Sequence, residues 1–342
     1  MPYLSLQTPN FSHNNISFSP FFEDTLALAS GTNFSLIGNG RIHIVKMSGE
    51  APGGVGIERF WDTQEGAFDV AWNERHENQV AAALGNGAVK LFDMTLKGLP
   101  IQAWHEHSAE VSSIEWNNLD KTLFCTCSWD QSIKIWTPDR TTSVLTIPTL
   151  GGQLHSCQWS PNSPSVLALA SSQGFIRLYD TRHPLSSSSL LEIRPQRGEV
   201  LSCDFNKYTP NLLAFATKDG SICTADLRNV MQDEQGMRGI GMIGKGKLGA
   251  RKVRWDPHLA NRLVSGGYDM SVRVWQNDPQ PSRQIYAHDA HTEFGGMGLY
   301  ICIASDLDGE CTALTMFEDN HGRIKRNFQL HQLLHHTFTH LF

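Results

Sequence analysis

Several features that would place this chain in a common functional class are missing from its 342 residues. It has no run of 18 or more apolar residues, so we expect no transmembrane helix. The stretch 1–10 has neither a basic region nor an apolar core, so we also expect no secretory signal. A strong excess of one charge is missing too, because 28 basic residues against 34 acidic ones give a net charge of only −6. The overall field therefore favours neither nucleic acid nor an anionic membrane as a partner.

The motifs that mark common catalytic sites are also absent. The sequence contains no G-x-S-x-G motif, P-loop or H-E-x-x-H motif. The glycine-rich stretch 236–249 lies between two of the repeats described below, so it predicts a mobile loop rather than a nucleotide-binding turn. Four histidines near the end, between 331 and 340, have no cysteine or carboxylate partners at metal-binding spacing. We therefore predict no catalytic residue, no metal site and no cofactor.

Cysteine is sparse and gives no disulfide framework. The chain has seven cysteines, an odd number, scattered along its length. Cys125 and Cys127 alternate along one apparent strand, which suits buried, reduced thiols. This usage indicates a reducing, cytosolic setting.

What the chain does contain is a repeated pattern. The stretch "SWDQSIKIW" (128–136) reads as a β-hairpin, and the segment around it (111–136) aligns with 67–92, 154–179, 200–225 and 250–275. Each segment has a first anchor residue and a second one 20 residues later. The first anchors are Trp72, Trp116, Trp159, Phe205 and Trp255, and the second are Phe92, Trp136, Tyr179, Ala225 and Trp275. First anchors are 43 to 50 residues apart.

Two weaker copies extend the pattern at both ends. One occupies 16–47 with Phe18 as its anchor, and a degenerate one begins at 291 with Tyr300 as its anchor. Each full copy holds about three short alternating strands between Gly, Asn or Asp turns. A period of this length with this content is typical of WD40 β-propellers, in which small sheets stack as blades in a ring. The sequence thus predicts an all-β fold, a seven-bladed WD40 β-propeller over 1–319. Its last blade would be degenerate and closed by a strand from 3–9, and a divergent, disordered His-rich tail would follow over 320–342.

Four polar or aromatic residues of the third repeat predict a buried hydrogen-bonded tetrad. They are His107, Ser128, Asp130 and Trp136. Buried polar groups need such partners, so we interpret the four as structural and not as a Ser-His-Asp catalytic set. An enzyme would instead need a cluster of titratable residues in the central channel, which the sequence does not show. Asp219 and Asp269 hold the aspartate position in repeats five and six.

Residues four and six positions before each first anchor should project from the edge of the ring where the inner strands begin. The acidic candidates at or near this edge are Glu110, Glu199 and Asp69. The aromatic candidates are Phe68, Trp129 and Tyr268. Acidic and aromatic side chains together suit a basic, amphipathic peptide. An ordinary solvated rim is the alternative interpretation.

Several phrases, in order, resemble one WD40 family more closely than the rest. They are "LQTPNFSHNNISFSP", "FDVAW", "EVSSIEW", "SWDQSIKIW", "EVLSCDFNKYTPNLLA", "DLRNV", "YDMSVRVW" and "HTEF". Over about residues 6 to 300 the chain is similar to the receptor for the type-2 peroxisomal targeting signal, a seven-bladed WD40 peroxin. After Tyr300 the sequence departs from that family, since the hairpin-like "IASDLDGECTAL" comes about six residues too early and the His-rich tail has no counterpart.

The resemblance implies a function. Receptors of this family bind a nonapeptide of the form (R/K)(L/V/I)x₅(H/Q)(L/A) near the N-terminus of matrix enzymes such as thiolase. The signal folds as an amphipathic helix on the propeller face, a co-receptor peroxin covers it, and the complex reaches the peroxisomal docking complex. The resemblance thus implies a cytosolic, non-enzymatic import receptor that shuttles to the peroxisomal membrane and matrix. The alternative is a generic WD40 scaffold, such as a ubiquitin-ligase adaptor or a chromatin-complex subunit.

Overall fold

The computed structural model describes most of the chain up to residue 288. The described ranges are 6, 8, 10–32, 38–47, 54–149, 152–183, 189–195, 197–230, 238–269, 271–277 and 282–287, with the backbone of 231–233, 236–237, 288, 301–305, 311–315 and 329–333. These residues form 29 β-strands and no α-helix. No helix that could cross a membrane occurs within them.

Six sheets of four antiparallel strands make up the described blades. Blade one is β1 (Ser12–Phe18), β2 (Thr25–Gly31), β3 (Gly40–Met47) and β4 (Val55–Thr63). Blade two is β5 (Ala67–Trp72), β6 (Gln79–Leu84), β7 (Ala88–Asp93) and β8 (Gln102–His105). Blade three is β9 (Val111–Trp116), β10 (Phe124–Ser128), β11 (Ser132–Trp136) and β12 (Leu145–Pro148).

The other three blades repeat the same order. Blade four is β13 (Leu154–Trp159), β14 (Val166–Ser171), β15 (Ile176–Asp180) and β16 (Leu191–Ile193). Blade five is β17 (Val200–Phe205), β18 (Leu212–Thr217), β19 (Ser221–Asp226) and β22 (Ile240–Lys245), with a two-stranded excursion of β20 (Met231–Asp233) and β21 (Gly236–Arg238) before its last strand. Blade six is β23 (Ala250–Trp255), β24 (Arg262–Gly267), β25 (Val272–Gln276) and β26 (Arg283–His288).

Strand register explains why the two anchors of each repeat are always 20 residues apart. In blade three, Phe124 pairs with Trp116 on one side and with Trp136 on the other. Both anchors therefore lie at one level of the sheet, on either side of its second strand. In blade six Leu263 takes the same place between Trp255 and Trp275. The constant spacing follows from a constant hairpin register.

The core lies between the blades. In one cluster, Val89 and Trp104 of blade two pack with Trp116, Phe124 and Trp136 of blade three, and all of them are at most 3% exposed. A second kind of link is polar, because anchor indoles donate to a carbonyl of the preceding blade. These hydrogen bonds run from Trp72 to Ser17 O (2.9 Å), from Trp159 to Glu115 O (3.3 Å) and from Trp255 to Asp204 O (3.2 Å). Blades two, four and six are thus tied to the blade before them, whereas the Trp116 indole of blade three donates to Lys121 O within its own blade (2.8 Å).

A three-stranded sheet follows blade six. It consists of β27 (Ile301–Ser305), β28 (Cys311–Thr315) and β29 (Gln329–Leu333). β27 lies beside the inner strands β1 and β23. The six four-stranded blades and the WD40 fold agree with the sequence prediction, whereas a seventh complete blade is not found among the described residues. Gln329–Leu333 form a strand inside the segment predicted to be a disordered tail. Tyr300, the other residues from 320 to 342 and most of 3–9 lie outside the described residues.

The prediction of a mobile loop over 236–249 was wrong. This stretch contains β21 and the whole of β22, the outer strand of blade five. Its glycines are explained by packing, since a Cβ on Gly244 would overlap the ring of Trp275 in the next blade. A side chain there would have to displace a core aromatic residue.

Candidate functional site

The polar network inside blade three differs from the predicted tetrad at one residue. His107 Nδ1 donates to Asp130 Oδ2 (2.8 Å). The Thr126 hydroxyl donates to His107 Nε2 and accepts from Trp136 Nε1, each at 2.8 Å. Ser128 instead donates to the carbonyl of Ala109 (3.1 Å). The prediction of Ser128 as the linking hydroxyl was therefore wrong, and Thr126 takes that role.

Strand register explains why Thr126, and not Ser128, accepts the hydrogen bond of the Trp136 indole. Trp136 pairs with Phe124, and the next residue on the same face of β10 is Thr126. Ser128 lies two residues further along, about 7 Å beyond Thr126, and out of reach of the indole. Blade six has the same geometry, because Trp275 Nε1 donates to Ser265 Oγ (2.7 Å) and Ser265 lies two residues after Leu263, the partner of Trp275.

The network also fixes the charge of Asp130. Burial alone would raise the pKa of this carboxyl, but hydrogen bonds from His107, from Ser132 and from the N–H of Ser108 hold the pKa well below its usual range. The carboxylate therefore stays ionised and serves as a common acceptor for its neighbours. This is the behaviour of a structural group, in which every lone pair is used.

The rim predicted from the sequence is built by one repeated hydrogen bond. In five blades, the amide of a residue in the turn between the second and third strands donates to the carbonyl of the residue six positions before the first anchor. The pairs are Gly85 with Gly66 (2.9 Å), Trp129 with Glu110 (3.0 Å), Ser172 with Gln153 (2.9 Å), Lys218 with Glu199 (2.9 Å) and Tyr268 with Gly249 (2.8 Å). We call these ten residues, with the residues four before each first anchor, the upper rim. The latter are Phe68, Ser112, His155, Leu201 and Arg251.

Phe68 and Trp129 meet across blades two and three. Their ring centroids are 6.0 Å apart in an edge-to-face arrangement. Phe68 also lies over Gly85, where an added Cβ would come within 3.0 Å of its ring. The Trp129 indole Nε1 is buried and has no hydrogen-bond acceptor among the described residues. The pair thus offers half-buried aromatic surface and an unused donor.

The two rim glutamates have different surroundings. Glu110, beside Trp129, is partly exposed, and its carboxylate forms no ion pair or hydrogen bond with any described side chain. Glu199 accepts from Lys218 Nζ and lies 3.5 Å from His155 Nε2. Burial lowers the pKa of His155, and the charge of Glu199 opposes that shift. An available carboxylate is therefore found at Glu110, whereas that of Glu199 is already paired.

Tyr268 faces a cation. The guanidinium of Arg251 donates to the Tyr268 hydroxyl (3.0 Å) and lies 5.9 Å from the centre of its ring. Tyr268 is therefore a rim aromatic residue, as predicted, but it belongs to a basic rather than an acidic environment.

Asp69 is not on the rim, and its placement there was wrong. It is only 2% exposed and lies in the wall of the central channel. It accepts from Asn15 Nδ2, from its neighbour Val70 N (2.8 Å) and from Ile114 N (3.0 Å) of the next blade. The contacts with Asn15 and Ile114 join the inner strand of blade two to those of blades one and three.

The channel holds titratable groups that the sequence reasoning missed. Glu115 accepts from the Trp159 amide and Asp204 from the Trp255 amide (2.7 Å), as Asp69 does from Ile114. Arg254 donates to Asp204 (3.0 Å). Asp69, Glu115 and Arg254 help to line a cavity of about 170 Å³ beside the inner strands of blades one, two and three. The sequence pattern could have revealed these three acids, since each lies one or three residues before a first anchor.

The arrangement in the channel links blades rather than serving a reaction. Each of the three carboxylates binds an amide of the following inner strand, so it joins two blades. Burial raises the pKa of Glu115, and Arg254 opposes that rise. Within the described part of the chain, no group of three or more metal-binding side chains is found.

Known proteins support both the fold and a particular family. Residues 98–137 and 249–276 match the model of the WD domain, G-beta repeat. The chain is similar to the peroxisomal targeting signal 2 receptor of Saccharomyces cerevisiae, with 33% identity covering 78% of this chain and 81% of that protein. It is also similar to the human protein of the same name, with 39% identity covering 84% of this chain and 86% of the relative. The Schizosaccharomyces pombe receptor is 29% identical over 85% of this chain and 90% of its own length.

These relatives are named as receptors, and they span most of the chain rather than a single repeat. The six four-stranded blades and the WD-repeat matches together show a WD40 propeller. The chain therefore belongs to the family of peroxisomal targeting signal 2 receptors, a family of WD40-propeller receptors and not of enzymes.

Proposed function

We propose that this chain binds the N-terminal type-2 targeting signal of matrix enzymes on the upper rim, over blades two and three. The observation that carries the proposal is the available carboxylate of Glu110 beside the Phe68–Trp129 pair. A helix with a cation and apolar residues on one face needs these two kinds of surface together. Relatives of the chain are named for this signal.

The interaction has a physical basis at each contact. The Arg or Lys that begins the signal donates to Glu110, and a charge-assisted bond of this type contributes about 1.5–3 kcal/mol. Apolar signal residues cover the exposed faces of Phe68 and Trp129.

The wider role follows from the family. The chain collects its cargo, such as thiolase, in the cytosol, is covered by a co-receptor peroxin and delivers the complex to the peroxisomal docking machinery. It then shuttles between the cytosol and the peroxisomal membrane and matrix. In this proposal the sheet of β27, β28 and β29 serves as a reduced seventh blade, because β27 neighbours both β1 and β23 and so joins the two ends of the ring.

Charge reversal at Glu110 tests the site. Glu110→Lys should weaken binding of a synthetic signal peptide at least about tenfold, measured by titration calorimetry, while the melting temperature stays the same. Glu77→Lys is the matched control, because Glu77 is exposed on the loop after β5, at the opposite edge of the ring. Unchanged affinity in Glu110→Lys, or an equal loss in Glu77→Lys, would count against this site. A chain that binds no signal peptide would favour the generic scaffold.

A further inference from the structure

The upper rim, together with the residues next to it in the same turns, has two halves of opposite charge. On the side of blades two and three, Glu65 and Glu110 have no ion-pair partner in the described structure, while Asp62, Glu106 and Asp130 pair within the ring. The side of blades five and six carries Arg197, Lys218 and Lys247, together with Arg251, which bonds to the Tyr268 hydroxyl. Glu199 pairs with Lys218 there, and the turn carboxylates Asp219 and Asp269 pair with Lys245 and Arg273. We call these the acidic half and the basic half.

The basic half is open to solvent at its lysines. The Lys218 side chain is 63% exposed although its Nζ contacts Glu199. Lys247 is exposed, and its backbone amide, not its ammonium, is held by Asp269 (2.9 Å). Long exposed side chains of this kind can turn towards a ligand at little cost, since an ion pair on the surface is weak in water.

A helix laid across a rim of this kind has a preferred direction. A helix of nine residues is about 14 Å long and carries partial positive charge at its N-terminus and partial negative charge at its C-terminus. If its first cation pairs with Glu110, its C-terminal carbonyls point away from the acidic half. Acidic residues just after a helix C-terminus normally disfavour the helix, and cations on the protein would offset that penalty.

We propose that the basic half binds acidic side chains that follow the signal helix in the cargo, and so fixes the direction in which the helix lies. This rests on the proposed function of the upper rim and adds a requirement on the cargo sequence outside the nonapeptide. The partner is a carboxylate-bearing segment of the same polypeptide. Lys218 exchanges Glu199 for the cargo carboxylate, and Lys247 and Arg251 add to the field.

The test uses one signal nonapeptide with three different C-terminal flanks: Asp-Glu-Asp, Ser-Gly-Ser and Lys-Arg-Lys. Binding to the full chain is measured by fluorescence anisotropy at low and at physiological salt. The acidic flank should bind roughly 3–10-fold more tightly than the basic one, and the preference should shrink with added salt. The same acidic residues placed before the nonapeptide should give no gain.

Variants then assign the preference to the basic half. In Lys218→Glu/Lys247→Glu the preference for the acidic flank should vanish or reverse, while Lys207→Glu, an exposed change on the loop after β17 at the opposite edge, should keep it. Glu110→Gln should weaken all three peptides alike and leave their ranking unchanged.

The outcomes separate the two claims. Equal binding of the three flanks, or a preference that survives in Lys218→Glu/Lys247→Glu, overturns the inference while the signal site stands. If a separate acidic peptide binds the basic half and the flank preference does not change, this surface serves a second protein. That result would overturn the inference as well. Failure of every peptide to bind overturns the proposed function itself.

Discussion

Glu110 in blade three and Glu199 in blade five occupy the same position in the repeat, and each carbonyl accepts the amide of a turn residue. The turn residue is Trp129 in blade three and Lys218 in blade five. Lys218 pairs with the Glu199 carboxylate, whereas the Trp129 indole does not bond to the Glu110 carboxylate, which has no ion-pair partner among the described residues. Equivalent acids thus acquire different roles because a neighbour 19 residues later differs.

The interiors of the same two blades differ in a parallel way. Blade three has Trp136 as its second anchor and a complete network through Thr126 and His107 to Asp130. Blade five has Ala225 at the second anchor, and Asp219 bonds only to groups of its own turn and to Lys245. Blade three, which has the internal hydrogen-bond network, carries the available rim carboxylate of Glu110. Blade five, in which Asp219 bonds mainly within its own turn, carries the paired rim carboxylate of Glu199.

The largest expected effect comes from removing the turn aspartate in each blade. Asp130→Ala leaves His107 Nδ1 and the Ser108 amide without their acceptor, and we expect a loss of about 3 kcal/mol in the free energy of unfolding. Asp219→Ala should lose only about 1 kcal/mol, because the Asp219 side chain is 32% exposed and water can replace it. Denaturant unfolding measures both. Similar losses of unfolding free energy in the two variants would mean that the network of blade three stabilises the fold no more than the local hydrogen bonds of the blade-five turn do.

A smaller effect is expected from the aromatic turn residue. Trp129→Ala removes the edge-to-face contact with Phe68 and the apolar cover next to Glu110. Signal-peptide affinity should fall about tenfold in calorimetry. Ser172→Ala, at the equivalent turn of blade four, should leave affinity within about twofold. If Ser172→Ala matters as much as Trp129→Ala, the binding surface is not centred on blades two and three.

The smallest of these effects concerns pH. Because the pKa of Asp130 is lowered in the folded state, its contribution to stability is present above the unfolded pKa of about 3.9 and is lost as pH falls towards the folded value. The stability difference between the native chain and Asp130→Asn should therefore narrow below about pH 4. Thermal unfolding from pH 3 to 7 measures it. A difference that stays constant with pH would show that the carboxylate is not the group held in its ionised form.

Periodicity in the sequence was enough to predict the six four-stranded blades, their anchors and the edge on which Glu110, Trp129 and Tyr268 lie. Those features depend on one register repeated in every hairpin, so spacing alone reveals them. Strand alternation could not decide between Thr126 and Ser128, since both lie on the same face of β10 and only the level of Trp136 separates them. The partners of Asp69 lie in neighbouring blades, so no spacing within one repeat encodes them. The pairing of Glu199 with Lys218 does follow a spacing within one repeat, 19 residues, which the sequence reasoning did not use.

Glycine content was misleading for a related reason. The stretch 236–249 was predicted to be mobile because glycine favours loops, but Gly244 is required by the ring of Trp275 packed against β22. Tight packing and loop flexibility select the same residue. Only the position of Trp275 in the neighbouring blade shows that packing, and not flexibility, requires glycine at position 244.

The most direct test of the account is a double-mutant cycle between each rim glutamate and the cation of the signal. The native chain, Glu110→Gln and Glu199→Gln are each titrated with the signal peptide and with the same peptide carrying Met in place of its first Arg. We predict a coupling of about 1.5 kcal/mol or more for Glu110 and close to zero for Glu199. A coupling near zero for Glu110, or a larger one for Glu199, would contradict the claim that Trp129 leaves one acid available while Lys218 occupies the other.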